Sequence, residues 1–275
     1  MKLVRRKDYS GRSGYTEPPK WSLLELSPHW KEAMRTPALI LALLTTGLAL
    51  GQAKKEPAKE VPVVPPREGK SETIELFDGK TLDGWEGYTD LWSVKEGLIV
   101  AKNTKPLAIS TYLVTKKKYS DFRLTFSAKL VESEMHSGIA IWGSVHVPKE
   151  VKDAAKEKAE FTYQGQLVMF PTGYGLWDLY RRAGGINQSQ AVRDLAIKAG
   201  KQHGWNDMEI LAQGNRIRFA VNGKAVLDWR DPMPDLVKEG PIGLQLHSNG
   251  VPQELHFKGL KIETFPKEDQ LTTVK

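Results

Sequence analysis

The sequence contains no cysteine among its 275 residues. This absence excludes disulfides, zinc sites with cysteine ligands, iron–sulfur clusters and thiol nucleophiles. It also lacks an apolar run of about 20 residues, the length that a membrane-spanning helix needs. The G-x-S-x-G motif of serine hydrolases is missing, and no two histidines have the helical spacing of metal ligands. The sequence therefore gives no signature of Ser-His-Asp catalysis and names no metal ligands or cofactor, and we expect no stable membrane span in the mature chain.

The positive charge of the chain is unevenly distributed. The formal net charge is +7, and four of these charges come from residues 1–53. The remainder has no segment that combines dense Lys and Arg with aromatic residues, as a nucleic-acid-binding surface would. We therefore expect no nucleic-acid partner.

Residues 38–50 form an apolar run of thirteen residues, ALILALLTTGLAL. This length is typical of the hydrophobic region of a secretory signal peptide, and Gly51 and Ala53 are small residues at the positions that signal peptidase requires. We predict that residues 1–53 are an N-terminal extension and signal peptide, cleaved after Ala53, and that the protein is exported. Met34 followed by Arg35 would open a signal peptide of ordinary length, so we expect translation to begin there. The alternative is a single uncleaved membrane anchor.

The rest of the chain divides into three parts. Residues 54–70 mix charges with four prolines, which predicts an extended linker. Residues 71–266 have the strand pattern of one folded domain, and residues 267–275 are a polar tail. Within the domain, only residues 149–160 have the composition of a helix, and their polarity predicts a surface position.

In the folded part, apolar and polar residues alternate with a period of two, which is the period of β-strands. Residues 119–130 alternate apolar and polar side chains, and Asn222-Gly223 predicts a hairpin with a type I′ turn. Many short strands separated by Gly and Asn turns predict an all-β fold, a two-sheet antiparallel sandwich. The alternation places the following residues inside: Phe122, Leu124, Phe126, Ile217, Phe219, Ile242 and Leu244.

Several segments resemble, in order, the 3-keto-disaccharide hydrolase domain family, also known as domain of unknown function 1080. They are LFDGKTLDGW at 76–85, YSDF at 119–122, SGI at 137–139, GWN at 204–206, NG at 222–223 and GPIGLQLH at 240–247. The resemblance covers residues 72–265, and its first and last motifs are the most specific. It implies a concanavalin A-like jelly roll in a secreted protein, with a groove for sugars on one curved sheet. In residues 240–247 the alternation places Gln245 and His247 opposite the apolar side chains, on the expected groove face.

The sequence departs from the family at one strand. Where the family commonly has Tyr-Glu-x-Gln-x-x-Asp, this chain has Gln164 at the Glu position, Gln166 at the Gln position and Met169 at the Asp position. An amide accepts hydrogen bonds but takes no proton at neutral pH, and a thioether is a weak acceptor. This strand therefore offers no carboxylate base.

The resemblance implies cleavage of glycosides that carry a ketone at C3. Such a ketone acidifies the C2 proton, so a base with a pKa near neutrality can remove it and the C1 oxygen can leave. We expect a histidine base, His247 before His136, because histidine titrates near neutrality. The expected substrate-binding residues are Gln164, Gln166, Gln245, Trp142, Trp177, Asp178, Tyr180 and Arg181.

The sequence leaves three functions open. The first is a secreted hydrolase or lyase acting on 3-keto-glycosides, and the second is a noncatalytic carbohydrate-binding module on the same jelly roll. The third is a structural or protein-binding sandwich at the cell surface. An enzyme needs a base within reach of C2, whereas a binding module needs only stacking surfaces and hydrogen-bonding groups.

Overall fold

The computed structural model of the chain describes residues 60–132, 134–171, 175–180, 189–233, 235 and 239–275. The chain separates into two units, Met1–Pro57 and Ala58–Lys275, of which the first lies outside the described residues, together with the predicted signal peptide and the beginning of the linker. Within the described part, no helix is both long enough and apolar enough to cross a membrane.

Two antiparallel sheets make up the described domain. The first sheet has the order β12-β11-β10-β6-β14-β4-β3, and β1 also pairs with β14. Its strands are β1 Glu72–Glu75, β3 Trp92–Lys95, β4 Leu98–Asn103, β6 Phe122–Leu130, β10 Asn206–Gln213, β11 Arg216–Val221, β12 Lys224–Arg230 and β14 Gln253–Thr264. The second sheet has the order β2-β5-β13-β7-β8-β9. Its strands are β2 Trp85–Glu86, β5 Thr111–Tyr119, β7 Ser137–Val145, β8 Tyr163–Phe170, β9 Leu176–Asp178 and β13 Gly240–Leu246.

The core lies between the two sheets, as the alternation predicted. All seven residues that were expected inside are at most 3% exposed: Phe122, Leu124, Phe126, Ile217, Phe219, Ile242 and Leu244. The hairpin predicted at Asn222-Gly223 is present as β11–β12, and β3 and β4 form another hairpin. The prediction of a two-sheet antiparallel jelly roll is thus confirmed, because side chains at every second position of each strand bury themselves against the other sheet.

The described residues include two helices, both outside the sheets. The predicted helical segment contains only one short turn, α1 Asp153–Lys156. The longer helix is α2 Gln190–Ala199, which the sequence pattern did not indicate. Ser189 caps it by accepting a hydrogen bond from the backbone N–H of Val192 at 3.3 Å, and Ala196 is its one buried residue.

Both ends of the described chain are held against the first sheet. The backbone N–H of Val64 donates to Asn215 at 3.0 Å, and the Asn215 amide donates to the Pro62 carbonyl at 2.8 Å. At the other end, the fully buried Glu209 carboxylate accepts hydrogen bonds from the backbone and hydroxyl groups of Thr272 and Thr273 at 2.7 to 3.2 Å. Residues beyond the last strand therefore contribute buried hydrogen bonds to the domain.

Candidate active site

The outward face of the second sheet forms the floor of a groove with a volume of about 830 Å³. One row of paired residues crosses five strands of this floor: Val114, Gly243, Ala140, Leu167 and Trp177. The small residues in the middle of the row make room for the rings of Tyr112 and Tyr163, which lie over Gly243. The groove is lined by residues of β5, β8, β9 and β13 and of the loops at the ends of β7.

Two histidines meet at one end of the groove. His136 immediately precedes β7 and His247 immediately follows β13. Because β7 and β13 are paired antiparallel strands, these two residues lie close together although they are far apart in the sequence. Their ring centroids are 4.7 Å apart with the rings nearly perpendicular. The Nδ1 atom of His247 lies 2.5 Å from the Ser248 carbonyl oxygen. Because a carbonyl only accepts, this contact places a proton on Nδ1, and in the neutral form of the ring the lone pair is then on Nε2.

His136 is held in its neutral form. Burial and, to a smaller extent, charge repulsion from the neighbouring His247 together lower the pKa of His136 to about 4. At neutral pH the pair therefore contains an uncharged His136 ring beside His247.

Gln245 and Tyr112 form the polar centre of the groove. The Gln245 side chain is 3% exposed, and its Nε2 donates a hydrogen bond to the Tyr112 hydroxyl at 3.1 Å. Its Oε1 is buried and has no hydrogen-bond partner in the described structure. A buried amide oxygen without a donor is costly. Gln245 is therefore suited to accept a hydrogen bond from a ligand hydroxyl.

Tyr112 and Tyr163 lie side by side on the groove floor, with ring centroids 5.6 Å apart. Burial raises the pKa of both phenols, so both remain protonated near neutral pH. The Tyr163 hydroxyl donates to the Pro241 carbonyl at 2.7 Å. Its proton is thus already engaged by the protein, in contrast to that of Tyr112, whose hydroxyl oxygen accepts the bond from Gln245.

The part of the groove formed by β8, by β9 and by the residue after β9 is largely apolar. Leu167, Met169 and Leu179 line it, and Trp177 is 43% exposed at its rim. An exposed tryptophan in a groove is a suitable stacking surface for a sugar or an apolar ring.

Two predicted binding residues lie at the β8 end of the same groove. Gln164 lines the groove where it pairs with Ser144. Tyr180 also lines it and donates its hydroxyl to the Trp142 carbonyl at 2.6 Å. The structure thus brings together His136, His247, Gln164, Gln245, Trp177 and Tyr180 of the predicted site.

Trp142 does not face the groove as predicted. A register shift between Ile141 and Ser144 interrupts the pairing of β7 with β8, and Trp142 has a positive φ of 50°. At such a bulge the strict alternation of side chains breaks down, and Ile141 and Trp142 both lie in the core. The Trp142 indole N–H donates to the Ser120 carbonyl at 2.6 Å, which satisfies its polar atom inside the protein.

Gln166 and Asp178 also lie on the interior side of the sheet instead of in the groove. They are directly paired on β8 and β9, and each is at most 2% exposed. The Gln166 Nε2 lies 3.4 Å from Asp178 and 3.5 Å from Asp231, which follows a strand of the opposite sheet. The reason is the period of two: Leu167 and Met169 face the groove, so the residue before Leu167 faces inward. Arg181 lies outside the described residues.

The described lining residues contain one carboxylate, Glu150, which is exposed at the rim. Among the described residues, no three His, Asp or Glu side chains lie close enough together to hold a metal ion. The usual glycosidase mechanism needs two carboxylates on either side of the glycosidic bond. The described groove offers histidine, amide and phenol groups instead.

Tyr112 is a site residue that the sequence analysis missed. It lies on β5, where residues 111–115 are all buried because one face packs on the core and the other on the groove floor. A strand covered on both faces reads as a continuous apolar run without alternation. The adjacency of Tyr112 to Gln245 could be predicted only from the pairing of β5 with β13.

Three solved structures are similar to this chain. A solved structure named as a candidate glycosyl hydrolase from Parabacteroides distasonis is similar, with 19% identity and a TM-score of 0.45, covering 70% of this chain and 94% of that one. A carbohydrate-binding module from Bacillus subtilis matches with 12% identity and a TM-score of 0.40, covering 66% and 96%. A Bacillus licheniformis β-glucanase matches with 13% identity and a TM-score of 0.41, covering 73% and 100%.

Among curated proteins, none matches the sequence significantly. The model of one protein family, described as the 3-keto-alpha-glucoside-1,2-lyase-like domain, matches residues 72–263. This match spans nearly the whole described sandwich, including every strand of the groove. The chain therefore belongs to the 3-keto-alpha-glucoside-1,2-lyase-like family.

Proposed function

We propose that this protein is an exported enzyme that cleaves 3-keto-glycosides by proton abstraction and elimination. The observation that carries the proposal is the group formed by His136, His247 and Gln245 at one end of the groove. It combines a histidine with a lone pair on Nε2 and a buried amide oxygen without a protein partner. Export rests on the apolar run at residues 38–50, which precedes the domain.

The reaction begins when the Nε2 atom of His247 takes the proton from C2 of the sugar. The C2–H electron pair forms a C2–C3 double bond, and the ketone oxygen becomes an enolate. The enolate then collapses: the ketone re-forms, a C1–C2 double bond appears and the bond between C1 and the leaving oxygen breaks. The protonated His247 can return its proton to that oxygen, so the protein is restored, and water addition to the double bond completes a net hydrolysis.

The other groove residues bind and orient the sugar in this proposal. Gln245 accepts a hydrogen bond from a sugar hydroxyl through Oε1. His136 stays neutral, so it adds no positive charge beside His247 when His247 takes up the C2 proton. Gln164 and Trp177 lie farther along the groove, where the group attached to C1 would extend. We expect both to affect binding more than turnover.

Incubation of the protein with a 3-keto-disaccharide, with and without EDTA, tests the proposal. We expect loss of the substrate and appearance of the vinyl proton of the C1–C2 double bond by NMR. His247→Ala should lower turnover at least ~100-fold, the typical effect of losing a general base. Gln164→Ala, as the comparison variant, should mainly raise KM.

A noncatalytic sugar-binding module is the second candidate. The exposed Trp177 and the scarcity of carboxylates among the described lining residues favour it. The same experiment separates the two functions: a binding module would hold the 3-keto-disaccharide without consuming it and without exchanging its C2 proton in D₂O. A fully active His247→Ala variant would instead show that another group is the base.

A further inference from the structure

The direction of one hydrogen bond leaves the Tyr112 proton available. A phenol has one proton to donate and lone pairs that accept. The Tyr112 oxygen accepts from the Gln245 Nε2 at 3.1 Å, so this contact uses a lone pair and not the proton. Tyr163, its neighbour on the groove floor, donates its hydroxyl proton in a hydrogen bond to the Pro241 carbonyl. The two tyrosines therefore differ in chemistry although both line the groove.

The position of the Tyr112 ring is fixed by the strands beneath it. Tyr112 is paired with Gln245 across β5 and β13 and is 2% exposed. Its ring extends over Gly243, where an added Cβ would lie 3.3 Å from the Tyr112 Cδ1 and 3.2 Å from the Ala140 Cβ. The absence of a side chain at Gly243 therefore gives the ring its place on the floor. The Tyr112 hydroxyl is therefore preorganised, since packing holds the ring and the Gln245 side-chain amide holds the oxygen by a hydrogen bond.

The pair presents complementary groups to a ligand. The Tyr112 O–H is a donor and the buried Gln245 Oε1 is an acceptor without a protein partner. A ketone beside a hydroxyl, as at C3 and C4 of a 3-keto sugar, offers one acceptor and one donor on adjacent carbons. The two patterns match, with the ketone oxygen on Tyr112 and the neighbouring hydroxyl on Gln245.

We propose that Tyr112 is a catalytic residue whose hydroxyl donates a hydrogen bond to the C3 oxygen as this oxygen becomes an enolate. The proposal rests on the function proposed above. Negative charge develops on that oxygen when His247 removes the C2 proton, and a donor already in place stabilises the charge most in a site with little water. The proton stays on Tyr112 throughout, because burial raises the pKa of this phenol.

The test uses 1,5-anhydro-3-keto-glucitol, a sugar with no leaving group at C1, in D₂O. Exchange of its C2 proton, followed by NMR, reports enolate formation alone. We expect Tyr112→Phe to slow exchange about 100-fold, the lower range for losing one such donor, with little change in the concentration for half-maximal rate. The control is Tyr119→Phe, a buried tyrosine of the same strand that packs in the core, and its exchange rate should equal that of the wild type.

The outcomes separate the two proposals. If the wild type exchanges the C2 proton and Tyr112→Phe does so equally fast, the role of Tyr112 is refuted while the proposed function stands. If the wild type neither exchanges this proton nor eliminates from a 3-keto-disaccharide, both proposals are refuted.

A second measurement uses only the wild type and so avoids any folding defect of the variant. The protein is labelled with ¹³C at tyrosine Cζ, and binding of the anhydro sugar should shift one tyrosine resonance. The absence of a shift would contradict the hydrogen bond.

Discussion

The neutral state of His136 makes a quantitative prediction about acid stability. Its pKa of about 4 in the folded protein lies below the ordinary value of 6.5, because the ring is largely buried beside His247. Between these two values the unfolded chain binds a proton that the folded protein excludes. The free energy of unfolding must therefore decrease as the pH falls from 6.5 towards 4 and stay unaffected by this group above 6.5.

The size of the effect follows from the difference between the two pKa values. Each unit corresponds to about 1.4 kcal/mol, so His136 lowers the stability by up to about 2 kcal/mol at pH 5 relative to pH 7. Partial exposure of the ring reduces this value, and we expect about 1 to 2 kcal/mol. His136→Asn, which cannot ionise, should remove this part of the pH dependence while every other histidine stays in place.

Urea unfolding of both proteins at pH 7 and pH 5 measures the difference. The decrease in unfolding free energy between these pH values should be smaller in His136→Asn by the amount given above. His146→Asn is the matched control, because His146 also lines the groove but is exposed, and it should behave as the wild type. Equal pH dependence in the wild type and His136→Asn would refute the burial argument, as would an NMR titration in which the His136 ring protonates near its ordinary value.

Three further predictions concern stability and export. Phe219→Ala removes a core side chain that is 1% exposed and should lower the unfolding free energy by about 3 to 5 kcal/mol in urea denaturation; a change near zero would contradict the assignment of the core. Deletion of residues 268–275 removes the tail donors of the buried Glu209 carboxylate and should cost about 2 to 4 kcal/mol, whereas Lys261→Ala, which breaks an exposed ion pair with Glu75, should cost less than about 1 kcal/mol. Mass spectrometry of the exported protein should find Lys54 as its first residue, and an intact residue 34 would disprove cleavage after residue 53.

Much of the sandwich could be predicted from alternation because each strand buries one face independently of its partners. Residues 122–130 and 240–246 show this, since their apolar positions all lie in the core. The rule does not hold at Trp142, where a bulge changes the direction of one side chain; Gly143, whose position leaves no room for a side chain beside Gln164, is the local residue that signals the bulge. Gln166 was expected in the groove from the family motif, whereas alternation from the groove-facing Leu167 places it on the interior side.

The candidate site was only partly accessible to sequence reasoning. The alternation in β13 placed Gln245 on the groove face, and the structure agrees. The contact of His136 with His247 and the hydrogen bond of Gln245 to Tyr112 depend on which strands are neighbours. The long-range packing of the whole sandwich decides the strand order, and the local pattern of apolar and polar residues does not predict it.

The sequence by itself determined the strand-rich composition, the core positions and the family, because these depend on periodicity and on short motifs along the chain. Only the tertiary structure decided which polar groups meet. It placed a neutral histidine beside a second one, left an amide oxygen of Gln245 without a partner and gave Tyr112 a position above Gly243. The physical reason is that burial and proximity set the protonation and hydrogen bonding of these groups, and both arise only when distant strands pair.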